Sequence, residues 1–276
     1  MRDFINRGVL NRGSDPLKIF VKKRLSNIMI AIVLAAGYAT RLYPLTENFP
    51  KPLLPVNEKP ILNWLLDDLE EQEEITGYVI VSNHKFIGYF EGWKETLNYK
   101  KPVILVDDGS TDNEHRLGAV KDIQVALEAI KGRSGESFLV IAGDNLLDFS
   151  FREFIQFSQK KQAPCVMCHE ENDLKRQQKT AIIVKDAEDK IISYEEKPEV
   201  PKGNLAVPPF YCYREEDVAR IDEAVKAGCS TDAPGSFAAW LSHQTDVYAW
   251  TMSGKRHDIG DRASYDAVQE IIKNQA

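Results

Sequence analysis

The sequence predicts a single α/β domain built around a mixed, mainly parallel central sheet. Short apolar runs alternate with amphipathic stretches along most of the chain, a pattern typical of strands connected by crossover helices. The 276 residues are 43% hydrophobic and 28% charged, which is ordinary for a globular protein and excludes collagen-like and disordered chains. No internal repeat and no long linker divides the chain, which favours one domain over two.

The first half of the chain shows the alternation most clearly. A continuous β-rich run at 29–36 predicts a strand that is buried on both faces. Residues 60–71 place isoleucine and leucine on one helical face, with Pro60 in the first turn, and therefore predict a helix. Further strands are predicted at 78–82, 103–106 and 138–142, and further helices at 119–131 and 151–162.

In the second half, predicted strands follow one another more closely. Apolar runs predict strands at 165–169, 181–184, 191–194, 207–213 and 247–252. Helices are predicted at 215–227, 236–243 and 261–274, the last with Asp261 as its N-cap. We expect this half to complete the sheet with strands of mixed direction.

Residues 1–28 differ from the rest and are expected to form an arm outside a domain at 29–276. They carry seven basic and two acidic residues, a net charge of +5, whereas the whole chain carries −7. The basic residues are scattered and are not followed by the apolar block of a secretory leader. Alternatively, translation begins at Met29, where the first clear strand starts.

Composition also limits the partners and the compartment. The longest apolar run, at 28–36, is far shorter than the ~20 residues of a membrane span. The net charge of −7 disfavours non-specific binding to nucleic acid. Four cysteines do not suggest a disulfide scaffold. We therefore expect a cytoplasmic protein with no membrane or nucleic-acid partner.

The loop after the first strand has features of a phosphate-binding turn. It consists of Leu34, Ala35, Ala36 and Gly37. Small residues let backbone N–H groups approach a phosphate closely, and Arg41 and Lys51 add positive charge. Prolines on both sides of Lys51 stiffen that segment. The glycine pattern alone is weak evidence, because an ordinary turn between a strand and a helix can have it as well.

Polar side chains stand at the ends of three later strands. Asp144 and Asn145 follow one strand, Glu196 and Lys197 follow a second, and Asp258 comes after a third. Ligands of open parallel sheets bind beyond the carboxyl ends of the strands, and a carboxylate there can hold Mg²⁺. Each residue alone is more often part of a turn, but their coincidence at strand ends favours a site with Asp144 and Asp258 as metal ligands.

These motifs together resemble the sugar-1-phosphate nucleotidyltransferases, the family of glucose-1-phosphate thymidylyltransferase and uridylyltransferase. The family opens with L-A-x-G-x-G-T-R-L-x-P-L-T, followed by K-P-x-x-P. Here residues 34–46 are LAAGYATRLYPLT and residues 51–55 are KPLLP. The family's G-D, E-K-P and D-x-G signatures recur in order at 143–144, 196–198 and 258–260. The resemblance extends from Met29 to the C-terminus.

The resemblance implies the Rossmann-like fold of nucleotide-diphospho-sugar transferases and a specific reaction. That reaction joins a nucleoside triphosphate to a sugar 1-phosphate and releases pyrophosphate, by in-line attack on the α-phosphate. By the same resemblance, Arg41 and Lys51 are catalytic, Arg41 by neutralising the triphosphate and Lys51 by steadying the α-phosphate. Mg²⁺ is the implied cofactor, held by Asp144 and Asp258.

The other implied contacts divide between the two substrates. The nucleotide contacts are Leu34, Ala35, Ala36, Gly37 and Gly118, the last from an L-G-A segment. The contacts to the sugar phosphate are Asn145, Glu196, Lys197, Val207 and Tyr211. Of these, Lys197 is expected to bind the phosphate and Glu196 to accept hydrogen bonds from sugar hydroxyls.

Three positions depart from the family pattern. Ala39 replaces the second glycine of the opening motif, Thr180-Ala181 replaces a Tyr-Gly pair near the sugar, and His257 replaces an aromatic residue before Asp258. The identity of the sugar therefore stays open. The nucleoside triphosphate and the oligomeric state are open as well, and a homo-oligomer is one alternative.

Two other functions also stay open. A CTP-dependent phosphocholine cytidylyltransferase would use the same fold, with an aromatic or acidic cage for the quaternary amine. Loss of Arg41, Lys51 or Asp144 would indicate a sensor without catalysis, but all three residues are present.

The string C-x-x-C-H at 165–169 matches a haem-attachment motif. In a strand its two cysteines would face opposite sides, so we expect core cysteines.

Overall fold

A computed structural model describes residues 28–131 and 137–274. The predicted arm at 1–28 lies outside the described residues, except for Ile28. Within the described ranges, no helix combines the length and the apolar character needed to cross a membrane. The strands are β1 (Met29–Leu34), β2 (Pro55–Val56), β3 (Lys59–Pro60), β4 (Ile75–Ser82), β5 (Val103–Asp107), β6 (Ser137–Ala142), β7 (Asn145–Leu147), β8 (Cys165–Glu170), β9 (Ala181–Lys185), β10 (Ile191–Glu196), β11 (Leu205–Val207), β12 (Phe210–Arg214), β13 (Tyr248–Thr251) and β14 (Arg256–Asp258). The helices are α1 (Ile61–Glu70), α2 (Ile87–Glu95), α3 (Ala119–Ala129), α4 (Arg152–Lys161), α5 (Leu174–Gln177), α6 (Glu215–Val218), α7 (Ile221–Lys226), α8 (Gly235–Ser242) and α9 (Arg262–Lys273).

The predicted α/β fold with a mixed central sheet is confirmed. The main sheet has the order β10-β9-β11-β8-β12-β6-β1-β4-β5, and β13 pairs with β8. Strands β6, β1, β4 and β5 run parallel to one another. Antiparallel pairs join β12 to β6 and continue outward to β10. The carboxyl ends of the four parallel strands therefore lie along one edge, where ligands of such sheets bind.

The side chains of β1 alternate between two apolar layers, as expected for a strand buried on both faces. Ile30 and Ile32 pack with residues of α3 and α8 on one face. Ala31 and Val33 pack with residues of α1, α2 and α4 on the other face. All four side chains are at most 1% exposed. Helices on both faces thus fix the strand whose end begins the candidate phosphate-binding loop.

One predicted strand is divided in the structure. The expected strand at 207–213 contains Pro208 and Pro209, which lack the N–H groups that a ladder requires. Val207 therefore ends β11, whereas Tyr211 lies in β12. The single-strand prediction was wrong at this point, and the two predicted sugar contacts lie on different strands.

The helical predictions also needed changes. The single helix predicted at 215–227 was wrong, since the structure has two short helices here, α6 and α7. Between them Arg220 N donates to Asp217 O (3.1 Å), three residues back, which is a tighter turn than that of an α-helix. The sequence pattern does not predict α2, whose two glycines weaken its helical propensity. Buried Phe90 and Trp93 hold α2 against the core. The two-stranded ribbon of β7 and β14 is also absent from the elements that the sequence predicts.

The cysteines of the C-x-x-C-H string behave as core residues. Cys165 packs in the layer with α1, α2 and α4, and Cys168 packs in the opposite layer. Both are fully buried, and all four cysteines of the chain are free thiols. The opposite facing of the two cysteines, expected from the strand, is confirmed.

Candidate functional site

The candidate site forms where β1 and β6 end side by side. Leu34, the last residue of β1, pairs with Ala142, the last residue of β6. The next residue, Gly143, donates its N–H to Leu34 O (3.0 Å). This pairing places Asp144 directly beside the start of the predicted phosphate-binding loop.

The loop that follows Leu34 is fixed by the protein but open in front. Ala35 and Ala36 are buried, and Asn83 Nδ2 donates to Ala36 O (2.9 Å). Gly37 is exposed, and a Cβ at this position would meet no protein atom within 4 Å. The free protein therefore does not need a glycine at 37, whereas a phosphate approaching the backbone would.

The turn after the loop carries Arg41 toward the edge of the site. Ala39 adopts the left-handed region with φ 47° and ψ 42°, which is the conformation that a glycine at this place in the family motif would favour. The buried Thr46 hydroxyl donates to Ala39 O (2.8 Å) and holds the turn. A Cβ on Gly260 would lie 3.7 Å from Arg41 Nη2 and 3.8 Å from Asp258 Oδ2. The guanidinium and the carboxylate therefore face the same stretch of backbone.

Lys51 and Asp144 form an ion pair in which the lysine is buried and the aspartate half-buried. Lys51 Nζ lies 2.7 Å from Asp144 Oδ2, and the two side chains are 8% and 33% exposed. Lysine is rarely this buried unless it is paired. Asn145 Nδ2 donates to Asp144 Oδ1 (2.7 Å). Both oxygens of Asp144 are therefore engaged by groups of the protein.

The β7–β14 ribbon brings Asp258 to the same place. Asp258 pairs with Asn145 in the ribbon, and Ile259 N approaches Asp144 O (3.4 Å). Arg256 joins the two strands through its side chain. Its Nε donates to Asn145 Oδ1 (2.6 Å), and its Nη2 lies 2.9 Å from Asp258 Oδ2. Two carboxylates and three cations thus meet at this edge of the sheet.

Asp144 and Asp258 fit a magnesium site by their chemistry. Both supply carboxylate oxygen, and Mg²⁺ is commonly bound by one or two carboxylates together with substrate phosphates. In the part of the chain that the structure describes, no three or more His, Cys, Asp or Glu side chains are grouped to hold a metal. A magnesium ion here would therefore take at most these two protein carboxylates.

Gly118 is required by the protein itself. It precedes α3 with φ +90°, a conformation that side chains rarely adopt. A Cβ there would lie 2.8 Å from the carbonyl carbon of Thr231 and even closer to its oxygen. Val120 N donates to Thr231 O (3.0 Å), so the start of α3 lies tightly against that segment. The predicted nucleotide contact therefore has a structural reason independent of any ligand.

Two carboxyl groups face each other close to the start of α3. Asp108 follows β5, and Asp122 lies in the first turn of α3 with 6% exposure. Asp108 Oδ2 and Asp122 Oδ1 make no hydrogen bond to any other described group. Burial and the facing charge of Asp108 raise the pKa of Asp122 to about 7. Two facing carboxyl groups do not readily ionise together, which favours a proton shared between them.

Oxygen atoms cluster on the side predicted to bind the acceptor. A Cβ on Gly235 would lie 3.1 Å from Glu196 Oε2 and 3.2 Å from the hydroxyl oxygens of Tyr194 and Tyr211. The Tyr194 hydroxyl is buried and has no hydrogen-bond partner among the described residues. Burial raises the pKa of Glu196, while the charge of Lys197 opposes that rise. Glu196 and Tyr211 are thus brought together, as the resemblance implied.

The structure places the predicted site residues in two adjoining groups. Lys51, Asp144 and Asp258 lie together with Arg41 beside them, in the group predicted to bind phosphate and metal. Glu196 and Tyr211 lie together next to Lys197, in the group predicted to bind the acceptor. Val207 is 4% exposed and packs in the core.

Arg256 connects the two groups. Burial and the charge of Arg256 lower the pKa of His169, and the same charge opposes the raised pKa of the buried Tyr211. Sequence reasoning missed Arg256, Tyr194 and Gly235. The only signal for Arg256 is its place two residues before Asp258.

Comparisons with known proteins identify the family of the chain. A family model described as Nucleotidyl transferase matches residues 30–275. The chain is 33% identical over 179 residues to the bifunctional protein GlmU of Methanocaldococcus jannaschii. This alignment covers 64% of this chain and 38% of that protein. With GlmU of Methanococcus vannielii the identity is 36% over 130 residues, covering 47% and 28%. The chain thus spans about a third of the length of these curated relatives.

Solved structures show the same fold. UDP-glucose pyrophosphorylase complexed with UDP-glucose matches with a TM-score of 0.77 at 22% identity, over 90% of this chain and 100% of that one. A Bacillus anthracis protein described as a glucose-1-phosphate thymidylyltransferase matches with a TM-score of 0.73 at 23% identity, over 89% and 96%. The family match covers nearly the whole sequence and agrees with the resemblance drawn from the opening motif. The chain belongs to the nucleotidyl transferase family.

Proposed function

We propose that this protein joins a nucleoside triphosphate to a sugar 1-phosphate, giving a nucleotide sugar and pyrophosphate. The observation that carries the proposal is the meeting of cations and carboxylates at one edge of the sheet. Lys51 contacts Asp144, and Arg41 and Asp258 face the same backbone at Gly260. Phosphoryl chemistry needs this kind of positioning and charge stabilisation, and no protein nucleophile.

Charge repulsion is the main obstacle to this reaction, because both substrates are polyanions. Exposed Arg41 is placed to neutralise the triphosphate and the leaving pyrophosphate. Lys51 is held inside by Asp144, so it is already oriented when charge develops at the α-phosphate. The open backbone at Gly37 leaves room for the nucleotide phosphates to approach N–H groups.

Magnesium would be held by Asp144 and Asp258, and when bound it would neutralise charge on phosphate oxygens. Asn145 keeps the Asp144 carboxylate in place through its amide. On the acceptor side, Lys197 would bind the phosphate and Glu196 the sugar hydroxyls. The similarity to a pyrophosphorylase complexed with UDP-glucose supports a sugar acceptor.

Phosphocholine is a second candidate acceptor, with CTP as the nucleotide. Glu196 Oε2 and the phenol oxygens of Tyr194 and Tyr211 converge near Gly235. An acidic group among aromatic rings also suits a quaternary amine. This alternative shares the phosphate and metal group and differs only in the acceptor side.

A substrate screen tests the proposal. Pyrophosphate release would be measured with dTTP, UTP, CTP, ATP and GTP, each with several sugar 1-phosphates and with phosphocholine. We expect turnover with a sugar 1-phosphate. Turnover with phosphocholine and CTP alone would favour the second candidate. Nucleotide binding without pyrophosphate release from any pair would show a non-catalytic sensor and overturn the proposal.

The magnesium assignment has its own test. Asp144→Asn removes one of the two proposed metal carboxylates, so kcat should fall roughly 100-fold, from the several kcal/mol that a metal supplies. Asp266→Asn, on the exposed face of α9, is the matched control and should leave kcat unchanged. Near-wild-type turnover of Asp144→Asn at saturating Mg²⁺ would show that the metal ligands were wrongly assigned.

Two further parts of the proposal concern the surroundings of the molecule. The four free thiols fit a reducing compartment, so we propose a cytoplasmic location. Association of copies of the chain stays a prediction. Light scattering by the purified protein would measure its mass in solution.

A further inference from the structure

Arg256 occupies a central place that the proposed reaction has not used. Its guanidinium contacts Asn145 Oδ1 through Nε (2.6 Å) and Asp258 Oδ2 through Nη2 (2.9 Å). The Arg256 side chain is 18% exposed, whereas Asp258 is 52% exposed. Half-buried His169 lies within reach of its charge, and burial together with that charge lowers the pKa of the imidazole. Arg256 is thus the cation that balances Asp258.

The two proposed metal carboxylates are therefore each paired in the free protein. Lys51 Nζ forms an ion pair with Asp144 Oδ2, and Arg256 Nη2 forms one with Asp258 Oδ2. The charges of these four groups cancel and Arg41 adds a further positive charge near Asp258, so the site offers little net attraction to a free divalent cation. A divalent cation that used the same oxygens would have to compete with two ion pairs. The cationic side chain of each pair is largely buried, which makes the attraction stronger than in a fully exposed pair. The phosphates of a nucleoside triphosphate would add the negative charge that is lacking.

We propose that Arg256 is a positioning residue that occupies the metal carboxylate Asp258 in the free enzyme, so that the divalent cation binds together with the nucleotide and not before it. The inference rests on the proposed function, because it assumes that Asp144 and Asp258 are the metal ligands. It concerns the order of binding and the role of a side chain outside the family motifs. Arg256 acts here through Asp258 and Asn145, not by touching the reacting atoms.

The guanidinium geometry explains why arginine fits this role better than lysine. Arginine presents several donors in one rigid plane and can hold two acceptors at once, whereas an ammonium group is a single point charge on a flexible stem. Arg256→Lys keeps the charge and loses the double contact. Arg256→Gln removes the charge. The two variants therefore separate the electrostatic and the positioning contributions.

The test measures metal binding directly, without turnover. Mn²⁺, used as a paramagnetic substitute for Mg²⁺, would be titrated into the chain of 276 residues and followed by electron paramagnetic resonance. Without nucleotide, the wild type should bind Mn²⁺ weakly, and Arg256→Gln should bind it about 5–20-fold more tightly, because the competing cation is gone. With the nucleoside triphosphate present, this difference should shrink, and the kcat of Arg256→Gln should fall because Asp258 is no longer held.

Controls and second variants decide the remaining outcomes. Arg220→Gln removes a surface arginine that pairs with Glu223, and should change neither Mn²⁺ binding nor kcat. If Arg256→Gln does not fold, judged by its circular dichroism, Arg256→Lys should still bind Mn²⁺ about 2–4-fold more tightly than the wild type. Unchanged or weaker Mn²⁺ binding in the folded variants would overturn the inference. Absence of turnover by the wild type with every substrate pair would instead overturn the proposed function.

Discussion

Lys51 and Lys197 both precede a proline in their motifs, but the fold holds them in very different ways. The Lys51 side chain is 8% exposed and is fixed by Asp144. Lys197 is exposed and adopts a positive φ of 49° directly after β10. A fixed, buried cation suits charge that develops during the reaction, whereas an exposed one suits capture of a phosphate from solution.

We therefore expect different kinetic effects when each lysine is removed. Lys197→Ala should raise the KM for the acceptor phosphate by roughly 10–150-fold, the value of one charge-assisted contact of about 1.5–3 kcal/mol. Lys51→Ala should lower kcat with a smaller change in either KM. Steady-state kinetics with each substrate varied in turn would measure both effects. A rise only in the KM for the nucleotide in Lys197→Ala would refute this division of roles.

Gly37 and Gly118 allow a matched pair of substitutions. At Gly37 an added methyl group meets no protein atom within 4 Å. The free energy of unfolding of Gly37→Ala should therefore lie within about 0.5 kcal/mol of the wild-type value. Its KM for the nucleotide should rise about 10-fold, because the methyl group enters the space left for phosphate. Gly118→Ala combines a strained φ with a clash against Thr231 and should lose about 2–4 kcal/mol of stability. Urea unfolding and nucleotide kinetics of both variants check this contrast, which fails if Gly37→Ala is the less stable of the two.

The sequence predicts site residues only where a motif marks them. Arg41, Lys51, Asp144 and Asp258 could be named because the opening motif and the G-D and D-x-G signatures are specific. Tyr194 could not, because its importance comes from how β10 brings its hydroxyl near Gly235. Such contacts join residues distant in the chain and have no local pattern.

At the scale of elements, the site depends on pieces of chain too short to be predicted. The β7–β14 ribbon has three residues in each strand, and the periodicity of a strand cannot be recognised over three residues. Its register nevertheless sets which side chains meet, because Asp258 pairs with Asn145. A shift by one residue would turn Asp258 to the other face. Longer elements could be predicted, β1 from its continuous apolar run and α1 from the helical spacing of its buried side chains.

The start of α3 is joined to the end of β5 through a carboxyl pair, which makes stability depend on pH. The pKa of Asp122 is raised to about 7 in the folded protein, from an ordinary value of about 3.8. Because the raised pKa belongs to the folded state, the stabilisation that protonated Asp122 contributes is fully present below its ordinary pKa of 3.8. This stabilisation is lost as the pH rises from there to about 7, the pKa in the folded protein. The pair should therefore weaken the protein most at pH 8, where both carboxyl groups tend to ionise.

Asp122→Asn should remove this dependence. We expect the variant to be more stable than the wild type by about 1–3 kcal/mol at pH 8 and to differ little from it at pH 4.5. Urea unfolding at a series of pH values is the measurement. Glu128→Gln, an exposed change on the same helix, should follow the wild-type profile. Equal stability of Asp122→Asn and the wild type at pH 8 would argue against a shared proton.

At the scale of the whole molecule, the fold class could be predicted because the alternation of strands and helices extends over the entire domain. Local errors, such as the strand divided by Pro208-Pro209, did not change the architecture. The order of strands in the sheet could not be predicted, because pairs such as β12 with β6 join distant parts of the chain. What the sequence does predict is that parallel strands end on one edge, and this was enough to gather most of the site there.

The domain should not need the basic N-terminal residues. β1 lies inside the sheet between β4 and β6, and the family match begins at residue 30. Ile28 should be kept, because its carbonyl accepts a hydrogen bond from Ser137 N (3.1 Å). A chain that begins at Ile28 should therefore have a Tm close to that of the full chain and a kcat/KM within about 2-fold, since the ends of a chain are where truncation is best tolerated. Thermal unfolding and steady-state kinetics of both forms make the comparison. A large loss of kcat/KM with an unchanged Tm would show that the basic arm contributes to substrate binding, and a large fall in Tm would place it in the fold itself.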